Sequence, residues 1–162
     1  PLEEVPGAVT ARRLTRTVTH LHEALQALGH GPGRLLVCGV HPHAGAGGLF
    51  GTVEQMVMAP TLEERRAPPG REAWSLPGPL GAETAFRWVL AGDVAGVVAT
   101  FHDQATIASK LLDWGQSVNV TWGLPTLRTS VDHGVGHDAR RAGTVDAGSM
   151  EAALRLALQL GA

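Results

Sequence analysis

Two histidine-bearing segments end apolar, strand-like stretches of the sequence and carry the side chains best suited to chemistry. HPHAGAGGLFG covers residues 41–51, and FHDQ covers residues 101–104. Because the carboxyl ends of parallel strands open onto one crevice of an α/β sheet, we expect His43, His102 and Asp103 to lie close together. Imidazole and carboxylate groups are ligands of Zn²⁺, Mn²⁺ and Mg²⁺. The segments predict a divalent-metal site, although a His beside an Asp is also typical of a capping pair or of a pair that supports a metal ligand.

The glycines of the first segment allow the backbone to approach a ligand closely, but they match no standard nucleotide motif. GAGG, at residues 45–48, is not followed by Lys and Ser or Thr, so it is not a phosphate-binding P-loop. The sequence also lacks a Rossmann fingerprint. These glycines therefore indicate a ligand-facing loop without identifying the ligand.

Three further polar residues are candidates for binding an anion. Lys110 follows Asp103 by two helical turns, so both can lie on one helix face, although a solvated lysine is the alternative. Asn119 and Arg128 stand in apolar, strand-like stretches, where a polar side chain needs either a structural hydrogen bond or a ligand. A guanidinium binds carboxylate or phosphate through two hydrogen bonds, which makes Arg128 the stronger candidate.

The elements that must position these residues alternate between helix and strand. Thr10 can cap a first helix whose apolar residues recur at three- and four-residue spacing, and Gly29 can end it. A strand is predicted at 34–40, a helix at 53–66 with an interruption near Pro60, and an extended piece around Trp74. A helix at 82–91, a strand at 94–101 and a helix at 104–114 capped by Asp103 follow. The last predicted elements are β-like runs at 116–121 and 126–131 around a WGLP turn, and a helix at 147–160 with Leu154, Leu156, Leu158 and Leu160 on or near its apolar side. This order predicts a layered α/β fold, with helices on both faces of a substantially parallel sheet, in a single unit covering residues 1–162.

Composition limits the classes of partner. Thirteen Lys and Arg against fifteen Asp and Glu give a net charge of -2, so no positive excess is available to bind a nucleic acid or an anionic membrane. The single cysteine, Cys38, lies in the apolar run LLVCGV and is expected to be a buried, inert thiol. No apolar stretch is long enough to span a bilayer, and no secretory signal is present. We therefore expect a cytoplasmic protein with no nucleic-acid or membrane partner.

Several segments together resemble one enzyme family. In chain order they are HPHAGAGGLFG, GPLGAETAF, FHDQ, Lys110, VNVTWGLPTLRTSVDHG and DAGSMEAALRLA. The series is similar to the carboxyl-terminal half of 4-hydroxythreonine-4-phosphate dehydrogenase of pyridoxal phosphate biosynthesis, and of its four-carbon acid-sugar-phosphate dehydrogenase relatives. The resemblance implies a fold similar to the isocitrate and isopropylmalate dehydrogenases, with two α/β lobes and an active site at a homodimer interface. Residues 1–101 would then belong mainly to a dimerisation and substrate lobe, and residues 102–162 to part of a cofactor lobe.

The resemblance also implies roles for individual residues. His43 and His102 correspond to the family's ligands for a divalent metal (Zn, Mg, Mn or Co), with Asp103 tuning or joining the metal's ligands. Asp103 and Lys110 are the implied catalytic residues. The residues implied to bind the substrate are Lys110, Asn119 and Arg128.

The segment DHGVGHD, at residues 132–138, resembles the loop that holds the adenosine part of NAD in the wider dehydrogenase superfamily. On that resemblance His133 approaches the adenine, Asp138 lies near the adenosine, and Gly134 belongs to the same cofactor-binding loop. A polar turn that opens a helix is the alternative interpretation.

The implied reaction is the NAD-dependent, metal-assisted oxidation, with decarboxylation, of 4-hydroxythreonine 4-phosphate, a small phosphorylated hydroxy acid. A metal on the substrate hydroxyl lowers the hydroxyl pKa as hydride leaves for the nicotinamide, and it stabilises the enolate formed when carbon dioxide departs. Threonate or erythronate 4-phosphate are alternative substrates. A catalytically silent dimerising fragment of the family and a metal-dependent hydrolase are alternatives from other classes.

The chain departs from the family's pattern in several places. His41 replaces an Asn, Ala46 an acidic residue, Glu83 an Asp, and Val135 a hydroxyl residue. His41 is a candidate substitute ligand, while the missing hydroxyl at Val135 weakens the expected cofactor contact. The family's chains are longer, and their third metal histidine precedes the position that matches Pro1. We therefore expect weak or undetectable metal affinity for these 162 residues alone.

Overall fold

The computed structural model describes residues 1–65, 74–135, 141 and 143–161. These residues belong to two compact units, Pro1–Thr106 and Ile107–Ala162. The sequence was interpreted as one α/β unit and, by resemblance, as lobes divided after residue 101, whereas the structure divides the chain after Thr106. None of the described helices is long and apolar enough to cross a membrane.

The two units contain different sets of elements. In the first unit these are a 3₁₀ turn (Leu2–Glu4), α1 (Val5–Ala8), α2 (Ala11–Ala27), β1 (Leu35–Val37), a turn at Pro42–Gly48, a π-helical segment (Glu54–Met58), α3 (Ala59–Glu64), α4 (Ala82–Leu90), β2 (Gly96–Val98) and the start of α5 (His102–Leu112). The second unit contains the rest of α5, β3 (Val118–Thr121), β4 (Arg128–Val131) and α6 (Gly148–Leu160).

Helix α2 begins and ends where the sequence predicts. The Thr10 hydroxyl accepts a hydrogen bond from the backbone N–H of Arg13 at 3.3 Å. At the other end Gly29 has a φ of 85°, and the N–H groups of Gly29 and His30 donate back to carbonyls of the last turn, as in a Schellman motif. The predicted interruption near Pro60 is also confirmed, because the π-helical segment changes to α-helix beside this proline.

The sheet of the first unit has β1 at its centre. β1 pairs in parallel with β2, and Val37 lies opposite Val98. On its other edge β1 meets the extended segment 74–80 through isolated bridges at Ser75 and Leu80. Both strands are shorter than the predicted spans because only three residues of each are paired in a ladder.

Helices cover both faces of this sheet because successive residues of β1 point to opposite sides. Leu35 and Val37 pack in one cluster with the buried face of α2. Leu36 and Cys38 pack in a second cluster with Ala85 of α4. All four β1-region side chains are at most 1% exposed. The predicted α/β arrangement, with helices on both faces, is confirmed in this unit.

The second unit is a hairpin that packs on a helix. β3 and β4 are antiparallel around the predicted WGLP turn, with Val120 opposite Thr129. The Thr129 hydroxyl donates to the carbonyl of Ala153 on α6 at 3.0 Å. The face of the hairpin that carries Thr129 and Val120 is therefore the face that contacts α6.

Helix α6 packs through small residues and not through all of its leucines. Ser149 and Ala153 are buried, whereas Leu154 and Leu158 are 58% and 76% exposed. The prediction that these two leucines lie on the packed side is wrong in this unit. The small Ala153 side chain allows the helix backbone to come within hydrogen-bonding distance of the hairpin, and the leucines then point away from it.

Candidate functional site

Strands β1 and β2 bring the two histidine segments to the same edge of the first unit. Because the strands are parallel and in register, the chain leaves both of them in the same direction. The turn with His43 follows β1, and α5 begins at His102 shortly after β2. The sequence therefore places the two imidazoles beyond neighbouring strand ends.

Gly39 connects the two segments directly. Its carbonyl accepts a hydrogen bond from Nε2 of Gln104 at 3.0 Å. On its other side the turn packs so closely that a Cβ on Gly39 would lie 2.9 Å from the Cα of Ala44. Ala44 follows His43 directly, and Gln104 lies two residues after His102. Both candidate ligands are thus near neighbours, along the chain, of residues that contact Gly39.

The first turn of α5 is arranged by Gln104 and not by Asp103. The Gln104 Oε1 accepts from the backbone N–H groups of Thr100 and Phe101 at 2.9 and 3.1 Å. Asp103 lies inside the helix, where its Oδ1 is 2.8 Å from Nδ1 of His102. The prediction that Asp103 caps this helix is wrong, because the glutamine side chain already binds the preceding N–H groups.

The turn that carries His43 has an unusual left-handed backbone. His43, Ala44 and Ala46 have φ values of 52°, 50° and 44°, and Gly45 and Gly47 between and after them also have positive φ. Each left-handed residue with a Cβ costs about 1–2 kcal/mol relative to the right-handed conformation. Such a run persists only where surrounding contacts hold it in place.

Glu54 supplies such contacts from the start of the π-helical segment. Its carboxylate is 2% exposed and accepts from the backbone N–H of His41 at 2.7 Å. The Nδ1 of His41 lies 3.0 Å from Oε2 and 3.3 Å from Oε1 of the same carboxylate. The imidazole of His41 also lies so close to Gly51 that a Cβ there would collide with the ring. Glu54 and Gly51 therefore both hold the His41 side chain.

Opposing effects determine the pKa of Glu54. Burial raises the pKa of this carboxyl, but hydrogen bonds from the backbone and ring of His41, and from its own backbone, lower it by more. The pKa therefore lies below the ordinary value of 4.5. Glu54 is consequently a buried anion at neutral pH.

The candidate metal ligands form only part of a ligand set. His102 and Asp103 are 82% and 80% exposed in their side chains, and His43 is also exposed. Their donor types fit Zn²⁺ or Mn²⁺. Within the described ranges, however, no group of three or more His, Cys, Asp or Glu side chains is placed to hold a metal ion. His43, His102 and Asp103 do not form one, and Nδ1 of His41, the candidate substitute ligand, is bonded to Glu54.

Cys38 is a buried core residue, as predicted. Its side chain is fully buried at the end of β1. Burial, together with the negative charge of Glu83, raises the pKa of the thiol to about 11. The thiolate that nucleophilic chemistry requires is therefore scarce at neutral pH.

In the second unit, Lys110 is held in place and is not a freely solvated lysine. Its Nζ donates to the backbone carbonyl of Asp132 at 2.6 Å and lies 3.7 Å from Oδ2 of the same residue. The ammonium also lies 5.3 Å from the ring centroid of Trp114. Lys110 therefore fixes the chain immediately before His133.

Asn119 and Arg128 lie on the outer face of the hairpin. Asn119 is paired with Ser130, and Arg128 with Thr121, so all four residues point to the side away from α6. Both candidate residues are exposed, and Nη1 of Arg128 donates to the Ser130 hydroxyl at 3.3 Å. The structure thus brings an amide, hydroxyls and a guanidinium onto one surface.

A pocket of about 560 Å³ lies within the second unit, beside Lys110. Its lining residues are Lys110, Trp114, Gly115, Asp132, His133, Gly134, Val135, Val145, Asp146 and Ser149. Two of the three predicted cofactor-binding residues, His133 and Gly134, are in this lining, with Nδ1 of His133 2.9 Å from the Gly134 carbonyl. Asp138, the third, lies outside the described residues.

The sequence interpretation missed the residues that hold the site together. Gln104 was noticed only as part of FHDQ, and Glu54 only as part of a predicted helix. No local pattern identifies the partners of either side chain, because both contacts are with backbone groups distant in sequence. An acidic residue in a mainly apolar helical stretch, shortly after the glycine loop, is the signal that could have indicated Glu54.

Comparison with known proteins identifies the family. The profile described as "Pyridoxal phosphate biosynthetic protein PdxA" matches residues 1–157. A relative from Ectopseudomonas mendocina, named 4-hydroxythreonine-4-phosphate dehydrogenase, is 44% identical over all of this chain and 47% of its own length. The chain therefore spans about half the length of such relatives.

Solved structures are similar over the same range. The 4-hydroxythreonine-4-phosphate dehydrogenase of Klebsiella pneumoniae matches with a TM-score of 0.80 and 35% identity, over 99% of this chain and 47% of its own. A terephthalate 1,2-cis-dihydrodiol dehydrogenase of Burkholderia xenovorans matches with a TM-score of 0.71 and 28% identity, over 98% of this chain and 49% of its own. The profile match over nearly the whole sequence, together with these relatives, leads to one conclusion: the chain belongs to the PdxA family of pyridoxal phosphate biosynthetic proteins.

Proposed function

We propose that this chain supplies part of the active site of an NAD-dependent dehydrogenase that oxidises and decarboxylates 4-hydroxythreonine 4-phosphate and works as a homodimer. The relatives' names support the substrate and the reaction class. The observation that carries the proposal is the contact of both histidine segments with Gly39, because it joins the His43 turn and the start of α5 at one sheet edge.

His102 is proposed as a metal ligand through its Nε2. The contact between Nδ1 and Asp103 favours the tautomer in which Nδ1 carries the proton and donates to the carboxylate. Nε2 then has a free lone pair, which is what a metal requires. His43 is proposed as a second ligand. Because the described residues include no complete ligand set, we assign no catalytic step to a metal in this chain.

The outer face of the hairpin is proposed to bind the anionic substrate. Arg128 and Asn119 lie on this face with hydroxyl groups beside them. A guanidinium can bind a carboxylate or phosphate through two hydrogen bonds, and an amide adds both a donor and an acceptor. Lys110 is proposed as a second cation for the substrate, after exchange of its contact with the Asp132 carbonyl.

The pocket of the second unit is proposed to hold the adenosine part of NAD. The nicotinamide of the same cofactor is the hydride acceptor. Its volume lies in the range of small-molecule sites. Trp114 and Val145 offer apolar surface for an adenine ring, and Asp132 and Asp146 offer carboxylates for ribose hydroxyls. This mixture of apolar walls and few polar groups supports the proposal.

A four-carbon sugar-acid phosphate, such as threonate or erythronate 4-phosphate, is the second candidate substrate. A structural neighbour of the chain is a dehydrogenase of a terephthalate dihydrodiol, so one fold serves dehydrogenases of different substrates. All candidate substrates carry an oxidisable secondary alcohol and an anionic group. Arg128 therefore has the same proposed role with each of them.

Reduction of NAD⁺ in the presence of Mn²⁺, Mg²⁺ or Zn²⁺ tests the proposal. We expect reduced nicotinamide with 4-hydroxythreonine 4-phosphate, less with the two four-carbon phosphates, and a large loss of rate in His102→Ala. Calorimetric titration with NAD⁺ is the parallel measurement. Binding of NAD⁺ without turnover of any of the three substrates would favour the catalytically silent fragment. Absence of both NAD⁺ binding and turnover would overturn the proposal.

A further inference from the structure

We infer that Glu54 is a positioning residue that holds the left-handed turn and so determines where the His43 imidazole lies relative to His102. The inference rests on the proposed function, because it is there that His43 and His102 act as ligands of one metal. Glu54 itself is buried and is not proposed to touch the metal or the substrate.

The carboxylate of Glu54 lies between the beginning and the middle of the turn. It accepts hydrogen bonds from the backbone and ring of His41, which directly precedes the turn. A Cβ on Gly45 would lie 3.0 Å from Oε2, and one on Gly39 would lie 3.2 Å from Oε1. One side chain therefore contacts the end of β1, the start of the turn and its middle.

The base of this side chain is fixed by the core. Glu54 begins the π-helical segment, and Met58 at the end of that segment is fully buried in the main hydrophobic cluster. The carboxylate therefore has little freedom to follow the turn. Because hydrogen bonds to an ionised acceptor are stronger than neutral ones, this fixed carboxylate holds the His41 end of the turn firmly.

The turn needs this support because its own backbone opposes the observed shape. His43, Ala44 and Ala46 have Cβ atoms and adopt positive φ. The hydrogen bonds to His41 are the polar contacts that hold the start of the turn against this cost. Relaxation of these residues to the right-handed region would carry the His43 side chain away from the Gly39 junction.

Nuclear magnetic resonance on the 162-residue chain tests the inference through the one-bond couplings between Cα and Hα, which report the sign of φ. In the wild-type protein we expect left-handed values at His43, Ala44 and Ala46. Glu54→Ala and the shorter Glu54→Asp should both lose them. Glu54→Gln should keep them in part, because its amide oxygen still accepts from the His41 N–H. Glu64→Ala, which removes an exposed carboxylate from α3, is the matched control and should change nothing.

A second readout separates positioning from mere stabilisation. Dissolved Mn²⁺ should broaden the ring signals of both His43 and His102 in the wild type. In folded Glu54→Asp the apparent Mn²⁺ affinity reported by both rings should fall about 10-fold or more, because His43 no longer lies where it can share the ion with His102. Left-handed couplings retained in a folded Glu54→Asp or Glu54→Ala protein would overturn the inference. Failure of Mn²⁺ to broaden either ring in the wild type would instead contradict the proposed metal site, and the couplings would still decide the role of Glu54.

Discussion

At the scale of single residues, two buried groups have pKa values that are shifted in opposite directions with respect to charge: Glu54 stays ionised and Cys38 stays neutral. Glu54 remains ionised because hydrogen bonds from His41 outweigh the cost of burial. The Cys38 thiol, in contrast, has no compensating donor among its described contacts, and burial raises its pKa. Of these two buried groups, the one to which the backbone supplies donors is the charged one.

The first prediction concerns the pH dependence of stability. Folding lowers the pKa of Glu54, so its ionised form stabilises the folded state fully at pH values above the ordinary pKa of 4.5. This contribution is lost as the pH falls through the lowered pKa. We expect Glu54→Gln to be less stable than wild type by about 1–2 kcal/mol at neutral pH, and the difference to shrink in acid. Chemical denaturation at several pH values measures this. A difference that grows as pH falls would contradict the assignment.

The second prediction concerns Cys38. A thiol with a pKa of about 11 and no exposed surface should not react with a thiol reagent at neutral pH in the folded protein. It should react rapidly once denaturant has unfolded the first unit. Labelling followed by mass spectrometry provides the measurement. Rapid labelling under native conditions would show that β1 is not the buried centre of the sheet.

At the scale of elements, the junction at Gly39 depends on the lack of a side chain. The turn approaches the end of β1 so closely that a methyl group on Gly39 would collide with backbone, which cannot move as a flexible side chain can. The same residue accepts hydrogen bonds from the hydroxyl of Thr100 and the amide of Gln104. One glycine therefore sets the separation between the His43 turn and α5.

The third prediction follows from this contact. Gly39→Ala should destabilise the protein by about 1–3 kcal/mol through overpacking and should displace the turn. Gly115→Ala is a matched control, because a Cβ there has nothing within 4 Å. Urea denaturation of both variants gives the comparison. Equal stability of Gly39→Ala and Gly115→Ala would refute the close packing.

Local pattern was sufficient for much of the element structure. The cap at Thr10, the stop at Gly29, helix α4 and the hairpin around WGLP were all predicted, because each depends on residues adjacent in sequence or at helical spacing. The start of α5 and the packed side of α6 were not. The start of α5 depends on which nearby side chain binds the N–H groups of Thr100 and Phe101, and Gln104 does so in place of Asp103. The packed side of α6 depends on a contact distant in sequence, of Thr129 with Ala153. The left-handed turn was likewise invisible, since two of its residues are alanines.

At the scale of the molecule, the candidate chemistry is divided between two units. The first carries the histidines proposed as metal ligands, and the second carries the hairpin face and the pocket. The family resemblance implied the residues of each proposed group, but it assigned His102 to the lobe at 102–162, whereas His102 lies in the first unit. What the sequence could not supply is the geometry within each group, such as the contact of Lys110 with Asp132, because that depends on how each unit packs.

The fourth prediction concerns the pocket of the second unit. Val135 is 85% exposed and stands where the family has a hydroxyl residue. If adenosine occupies the pocket, Val135→Ser should restore a hydrogen bond and tighten NAD⁺ binding about 2- to 10-fold. Val145→Ser, in the same lining, is the control and should not improve it. Calorimetric titration with NAD⁺ distinguishes them, and weaker binding by Val135→Ser would remove the pocket from the proposed cofactor site.

The most direct test of the whole account is a titration of the wild-type chain with Mn²⁺, observed at the histidine ring protons. Paramagnetic broadening detects even the weak affinity that an incomplete ligand set implies. The account predicts that His43 and His102 broaden at the same Mn²⁺ concentrations, well before the exposed His30, and that His43→Ala weakens the effect at His102. If His43 and His102 broaden independently of each other, or no earlier than His30, then the two segments do not share a metal site and the central claim is wrong.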